Sequence, residues 1–583
     1  MYMKKMIHAF VCAVFVSGCT AKTPTNWSMY KSQFNDQFVK ELNDNNVSSA
    51  AYAVFTKDSV IFSGANTHTN LSAKANLDTK YLIGSVTKVF TAVAVMQLHE
   101  RRQLNIDDPV SLYLPEFNIK QRFPASGPIT IRDVLTYHAG LPSDIFLHKF
   151  SSVPQNYHLL LSYLNQHTTC FPVGQIKSYS NLGYALLGIL VEKVSGKPYA
   201  DYVQENIFTP IGMTNSGFYT SFQLQKTLST AHNKRAELVT EWPIYDLPAG
   251  GIYASTSDMI KFGRSFIDKK SVLLSQKTIE LMFQLQNKDV KLDLDDRSAI
   301  CLNFKNKTPE LGRILEHGGA TVYHRAQLYI APDAGLAAVM LSDSPDGTKN
   351  SWKLNEELML NYAKFNHMKI AAKANQDKQI AFTSIKTKQL RNFAGDYCMP
   401  GMICNLSWKN ENLAASIQDN DFYIVPQDDH AFVGAKRILG FMAKSKKTWL
   451  YLEDIAEEKL LLQAMEWGDI AIIGQQVKDK KQIPNEWKTR MGKYQIINQP
   501  NTELKMIDSF ELVEKNGFIV LKYKYNAVFD NSAGVEMALS IASENQAYTR
   551  GLGAGGGECV KFDKSAKGRE TFLYCGLELQ KID

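Results

Sequence analysis

The sequence predicts a mixed helix-and-strand domain, α+β in preference to α/β, whose sheet joins its two ends. One or two all-β, barrel-like domains follow it. Three observations carry this reading. Helical patterns fill the middle of the first 360 or so residues, and strand-like runs lie at Ala51–Thr56 and within Ile314–Ser342. After about Lys364 the texture changes to short alternating strands separated by turn residues. That tail also opens twice in the same way. Phe393-Ala394-Gly395-Asp396-Tyr397 is echoed by Arg490-Met491-Gly492-Lys493-Tyr494, roughly a hundred residues later.

Taken in order, the elements begin with a helix from about Trp27 to Leu42 and the strand Ala51–Thr56, expected at a sheet edge. Tyr81–Met96 follows, a helical stretch too apolar for a surface helix, with Gly84 before Ser85 and Lys88 three residues on. Positions three apart share a helix face, so Ser85 and Lys88 can touch. A serine hydroxyl attacks well only beside a base, and burial can make a lysine that base. The start of a helix adds backbone N–H groups for a developing oxyanion. Ile129–Tyr137 reads as a helix capped by Thr130 with Asp133 at its third position, ended by His138-Ala139-Gly140-Leu141-Pro142. After the turn Phe171–Gly174 come Lys177-Ser178-Tyr179-Ser180-Asn181 and a helix Gly183–Val194, stopped by Ser195-Gly196-Lys197-Pro198. A helix Tyr199–Ile207, the stretch Leu247–Thr256 and a helix from Ser257-Asp258 lead to the strands of Ile314–Ser342. Lys364–Lys388 lacks a strong period and reads as a linker. Trp449–Leu452, Lys459–Gln463, Ile470–Ile473, Phe518–Tyr525 and Glu536–Ile541 read as strands of the tail.

The chain has 583 residues, more than one core can serve. A hydrophobic share of 45% and a charged share of 21% describe a folded protein. Its formal charge of +7 is spread without a basic stripe or interleaved aromatics, which argues against a nucleic-acid partner. Lys4 and Lys5 precede the apolar run Met6–Val16, the pattern of a secretory signal. Its ending, Val16-Ser17-Gly18-Cys19, resembles the lipobox of bacterial lipoproteins. That resemblance implies a signal peptide 1–18 and lipid on Cys19. It also implies a place in the bacterial cell envelope facing the periplasm, on the outer membrane, with the lipid as membrane contact. No later run reaches the roughly 18 apolar residues of a spanning helix. In an oxidising compartment Cys398 with Cys404, and Cys559 with Cys575, are candidate disulfides, while Cys170 and Cys301 are open between pairing and free. No C-x-x-C or H-E-x-x-H occurs, so neither a metal nor a cofactor is expected.

Five stretches, in this order, resemble the serine β-lactamase and penicillin-binding-protein superfamily, in its class C β-lactamase-like branch. They are IGSVTKVFTA around Ser85, IRDVLTYHAGLP from Ile131, YSNLGYALLGILVEKVSG from Tyr179, LPAGGIYASTSDM from Leu247 and His317-Gly318-Gly319. The resemblance implies an antiparallel sheet flanked by a helical region over residues 19–365, a linker at 366–388 and barrel-like domains at 389–484 and 485–583. It makes Ser85 the acylated nucleophile, Lys88 its base partner and Tyr179 a proton relay. Asn181, His317, Gly318, Gly319 and Ala320 would bind substrate, with the N–H groups of Ser85 and Ala320 as oxyanion hole.

Two departures bear on substrate. Leu135-Thr136-Tyr137-His138-Ala139-Gly140-Leu141 replaces the usual L-T-H-T-S-G-L, in a region taken as structural. His317 stands where many relatives have the lysine that holds a substrate carboxylate, and a histidine is largely neutral at pH 7. Arg325 is a candidate replacement cation. The expectation is therefore a serine hydrolase acting on a small amide, ester or peptide, with a D-amino-acid peptide in view. A DD-carboxypeptidase or weak β-lactamase, or a non-catalytic envelope scaffold, are the alternatives. The box with His317 resembles that of D-aminopeptidases, in which a C-terminal loop enters the active site. Gly551–Gly557 is the candidate for such a loop, or else a hairpin tip.

Overall fold

The computed structural model describes residues 26–582 apart from 46, 69–73, 154–155, 234–236, 289, 291, 294–297, 344–350, 371–386, 400, 410, 418–419, 429–430, 439–440, 456–457, 465–469, 479–481, 530–533 and 565–569. The signal segment 1–18, Cys19 and most of the linker expected at 366–388 lie outside these residues.

The first domain is built on a six-stranded antiparallel sheet. Helix α1 (Trp27–Asp44), capped by Asn26, lays Phe34, Phe38 and Leu42 on one face of it. Strands β1 (Ser49–Phe55) and β2 (Val60–Thr67) come from the start of the domain. Its end supplies β3 (Asn303–Thr308), β4 (Gly312–Ala320), β5 (Arg325–Ala331) and β6 (Leu336–Ser342). The spatial order is β2-β1-β6-β5-β4-β3, so β1 pairs with β6 and the two chain ends share one sheet. β1 was expected at the edge, but it lies inside, bonded on both sides and buried throughout. The edge is β2, whose half-exposed residues carry too weak an alternation to read as a strand. Helix α6 (Ser351–Phe365) closes the domain.

The helical middle faces the other side of the sheet. Helix α2 (Thr87–Glu100) is buried at every residue from Thr87 to Leu98, as its all-round apolarity requires. Helix α3 (Ile131–Leu135) has the capping box of Thr130 and Asp133, but it is shorter than its pattern suggests. Tyr137 ends it by taking the left-handed φ of 66°. Helix α4 (Asn181–Ser195) starts at the Ser180 cap and stops at left-handed Gly196. Helix α5 (Thr256–Ile267) starts at the Ser255 cap and lies under the sheet.

Two closed eight-stranded barrels follow, one from Gly395–Met399 to Ile470–Gln476 and one from Gly492–Ile496 to Leu577–Ile582. The repeated opening has a physical reason. Tyr397 Oη donates to the Phe393 carbonyl at 3.0 Å and Tyr494 Oη to the Arg490 carbonyl at 2.5 Å, so each tyrosine closes the turn that feeds its own first strand. Gly395 (φ 150°) and Gly492 (φ 138°) hold the same unusual backbone, and a Cβ at either would meet a facing side chain.

The six described cysteines form no disulfide with one another. Tyr397, not Cys398, stands opposite Cys404, so Cys398 and Cys404 point to opposite faces of the barrel wall. Cys404 lies in the barrel core, and Cys398 packs with Phe518, Val520 and Ala538 of the second barrel. Cys559 sits on a strand next to Gln546, and Cys575 occupies a left-handed turn position with a φ of 47°.

Tyr397→Phe and Tyr494→Phe should each lower the stability of their own barrel by about 1 kcal/mol, with little effect on the other. Urea unfolding followed by barrel-specific proteolysis checks this.

Candidate active site

The site forms where the end of β4 meets the turn leading into α2. A turn at Gly84–Val86, with Gly84 at φ 49°, places Ser85 at the start of the buried helix. The approach is so close that side chains are excluded on both sides. A Cβ on Gly84 would lie 2.6 Å from the Ala320 nitrogen, and one on Gly319 only 1.9 Å from the Ile83 carbonyl oxygen. The N–H groups of Ser85 and Ala320 are thereby brought to one place, as an oxyanion hole requires.

Lys88 is fully buried and its Nζ lies 3.1 Å from Ser85 Oγ. The Ala249 carbonyl, on the short helical turn Leu247–Gly250, receives a second Nζ hydrogen bond at 2.7 Å. Tyr179 Oη donates to Ser85 Oγ at 2.7 Å, so amine and phenol converge on one hydroxyl. Burial, reinforced by the Lys149 cation and opposed by Asp246, lowers Lys88 to about 7. From an ordinary lysine value of about 10.4, that is about 5 kcal/mol against the charged form. Burial pushes the Tyr179 phenol well up, partly offset by its hydrogen bond to Ser85. These opposite shifts sort the roles: near neutral pH the amine can accept a proton, and the phenol keeps its own.

Tyr179 is held by a neighbour read from the sequence as structural. The Ser178 N–H donates to the Tyr137 carbonyl at 2.8 Å, and the Tyr137 ring stacks on Tyr179 at 4.8 Å. Tyr137 Oη reaches His317 Nε2 at 3.3 Å. The other ring nitrogen, Nδ1, lies 2.8 Å from the Gly318 carbonyl, an acceptor, so Nδ1 carries the hydrogen and Nε2 accepts. Burial, with the nearby Lys88 charge, lowers His317 to about 3. His317 is thus neutral and engaged at both nitrogens. Arg325, at the start of β5 opposite Ala320, donates from Nη1 to the Thr321 and His324 carbonyls.

Asn181 Nδ2 donates to Asp144 Oδ2 at 2.7 Å. Asp144 also pairs with buried Lys149 at 2.9 Å, and Lys149 bridges to Asp246 at 2.6 Å. Sequence reading missed this group and Tyr137. Tyr137 was marked only by the departure Tyr-His for His-Thr in its stretch, and Asp246 only by standing just before Leu247-Pro248-Ala249-Gly250. Lys149 and Asp144 carry no local signal.

The Gly551–Gly557 run lies between two adjacent strands of the second barrel and also reaches the site's supports. Gly555 N–H donates to Ser143 Oγ at 2.9 Å, and Glu558 receives the Ser143 N–H at 2.7 Å. Leu552 packs on Cys170, Phe171 and Ile176, and a Cβ on Gly553 would lie 3.9 Å from the Lys177 carbonyl. Arg122 donates to the carbonyls of Gly557 and Cys170, its guanidinium lying over the rings of Phe123 and Tyr548.

Residues 35–359, more than half of the chain, match the Beta-lactamase family, and the chain belongs to that family. A Bacillus subtilis protein named as a penicillin-binding protein, PbpX, is 32% identical over 209 residues, covering 35% of this chain and 50% of that one. Beta-lactamase-like protein 2 of Dictyostelium discoideum is 26% identical over 270 residues, covering 44% and 49%. The chain thus spans about half the length of the curated relatives it matches. Among solved structures, SurE crystallised with D-Leu superposes with a TM-score of 0.54 at 19% identity, over 77% of this chain and 100% of that one. The octameric penicillin-binding protein homologue from Pyrococcus abyssi gives 0.51 at 20% identity, over 75% and 99%. At this identity both likenesses are of fold alone.

Gly319→Ala should push β4 away from Ser85 and cut the rate of Ser85 modification by a fluorophosphonate at least about 100-fold, the usual loss for a missing oxyanion donor. The fold should persist, as read by circular dichroism.

Proposed function

We propose that this beta-lactamase-family chain is a serine hydrolase that works through an acyl-enzyme on a small amide or ester, with D-amino-acid-containing peptides as the favoured class. The observation that carries this is the convergence of Lys88 Nζ and Tyr179 Oη on Ser85 Oγ. In the attack, Ser85 Oγ bonds to the substrate carbonyl carbon while its proton passes to Lys88. The oxyanion is taken by the N–H groups of Ser85 and Ala320. As the carbon–leaving-group bond breaks, Tyr179 gives its proton to the departing amine or alkoxide and regains one from Lys88. Water then attacks the ester on Ser85, its proton accepted by the same pair, and Ser85 is regenerated. Asn181, oriented by Asp144, faces substrate polar groups.

The state of His317 supports amides and esters without a required carboxylate. A neutral ring with both nitrogens engaged offers no cation, whereas β-lactams and D-Ala-D-Ala ends carry a carboxylate. The similarity to a protein named as a penicillin-binding protein favours the second reading, a DD-carboxypeptidase or weak β-lactamase. D-Leu is the ligand in the SurE structure, which prompts the D-amino-acid arm of the test. The leader pattern ending at Cys19 supports, in this reading, a position on the bacterial envelope held by lipid.

A panel of D-aminoacyl amides, D-Ala-D-Ala peptides, short esters and a chromogenic cephalosporin should show turnover of the first or third class, lost in Ser85→Ala. Turnover of the D-Ala-D-Ala peptide or cephalosporin alone would select the second reading, and no fluorophosphonate adduct at Ser85 would leave a scaffold. Acylation should speed up as pH rises through about 7, because Lys88 must lose its proton to accept that of Ser85. Separately, Cys19→Ser should release the protein from membranes to the soluble fraction, read by fractionation and by the mass of the N-terminal peptide.

A further inference from the structure

Next to the reacting residues lies a largely buried group of charges that no step of the reaction touches. Lys149 is 8% exposed, and its Nζ donates to Asp144 Oδ1 at 2.9 Å and to Asp246 Oδ2 at 2.6 Å. Each carboxylate also leads to a different reacting part of the site. Asp144 Oδ2 receives the Asn181 amide at 2.7 Å, and its Oδ1 receives the Ile145 N–H at 2.9 Å. Asp246 begins the turn Leu247–Gly250, whose Ala249 carbonyl holds Lys88 Nζ at 2.7 Å. The Ala249 N–H in turn donates to the Asp246 carbonyl at 2.8 Å.

Packing alone does not explain this arrangement. Two carboxylates stand against one ammonium, and Asp246, whose carboxyl burial pushes up, has its Oδ1 buried without a hydrogen-bond partner. Replacing even a matched buried pair with apolar groups is often neutral or stabilising. A purely structural bridge would not need the second carboxylate. The buried amine of Lys88 is among the groups on which this unmatched pair of carboxylates acts.

We infer that Asp144, Lys149 and Asp246 form a positioning triad that sets the proton affinity of Lys88 and orients Asn181 in the same act. This inference rests on the hydrolase reading above. The groups facing Lys88 are Ser85 and the Ala249 carbonyl, the rings of Tyr179 at 4.9 Å and Tyr184 at 5.8 Å, Cys301, His317, and the triad itself. The phenols of Tyr179 and Tyr184 and the thiol of Cys301 are all pushed up by burial, and His317 is pushed down, so they stay neutral near pH 7. Near that pH the triad holds the charges next to the base. Burial pulls Lys149 down, but its two carboxylates more than offset that and push it up to about 12, so it stays a cation. The signs follow directly. Asp246 and Asp144 favour the protonated amine and Lys149 opposes it. The triad thus keeps Lys88 basic enough to take the Ser85 proton, yet not so basic as to be protonated beforehand.

The test is the pH dependence of Ser85 labelling by a fluorophosphonate in the full chain, which needs no knowledge of the natural substrate. In the unaltered protein the rate should rise with a midpoint of about 7. Asp246→Asn removes a charge that favours protonation and should move that midpoint down by about one unit. Asp144→Asn should move it the same way and, in addition, raise KM through Asn181 on any substrate that turns over. Lys149→Met removes the opposing cation and should move the midpoint up. General damage to the site lowers the plateau of such a curve without moving its midpoint in opposite directions. Midpoints in the two aspartate variants that stay within about 0.2 unit of the unaltered protein overturn the inference. If Lys149→Met fails to fold, the two isosteric aspartate variants carry the test by themselves. A wild-type chain that labels at no pH instead sinks the hydrolase reading and takes the triad's role with it.

Discussion

The approach of Gly319 to the Ile83 carbonyl is the constraint on which the rest of this structure turns. At that point a sheet strand and the entry to a buried helix are closer than any side chain permits, so glycine is required at 319 and at 84. The antiparallel sheet brings β4 there because its strands come from both ends of the domain and enclose the helical middle. The all-round apolarity of α2 brings Ser85 there, because a helix buried at every position from 87 to 98 can sit only in the core. Ser85, in the turn that enters this helix, is thereby set against the end of β4.

Burying that helix also buries Lys88. An ammonium in such a place is expensive, and the chain resolves the cost in two ways. The amine sheds its proton near neutral pH, and it is gripped by a serine hydroxyl and a backbone carbonyl. The surrounding polar groups divide by charge. On one side stand neutral groups forced to stay neutral: Tyr137, Tyr179, Tyr184 and His317. On the other stands the ion group of Lys149 and two aspartates. The strained φ of Tyr137 belongs to this scheme, since that backbone lets one residue hold the Tyr179 segment by its carbonyl and the Tyr179 ring by stacking.

The second barrel is joined to the same scheme. Its glycine run and Glu558 grip Ser143, next to Asp144, while Phe146 N–H donates to the Cys575 carbonyl at 2.9 Å. A hydrogen bond between His148 Nδ1 and the Glu503 carboxylate adds a further contact between the domains. Small residues are needed where two backbones meet: Gly557 lies against the Cys170 carbonyl, where a Cβ would come within 2.4 Å. Mechanical linkage between barrel and catalytic segment therefore runs through residues 142–149, the stretch that also supplies Asp144 and Lys149.

Local pattern by itself determined much of this. An apolar helix with serine and lysine one turn apart, a cap at Thr130, and a doubled Gly-x-Tyr opening are all features of a few consecutive residues. Each has a short-range physical meaning that survives in any fold containing it. The pairing of β1 with β6, the partners of Asn181, the engagement of His317 by Tyr137 and the ion group around Lys149 join residues far apart along the chain. So do the opposite faces of Cys398 and Cys404, which depend on register and not on spacing. Only tertiary structure decided these. Hydrogen bonds and charges act over a few ångströms of space, and a linear sequence does not record which distant segments the core will bring that close.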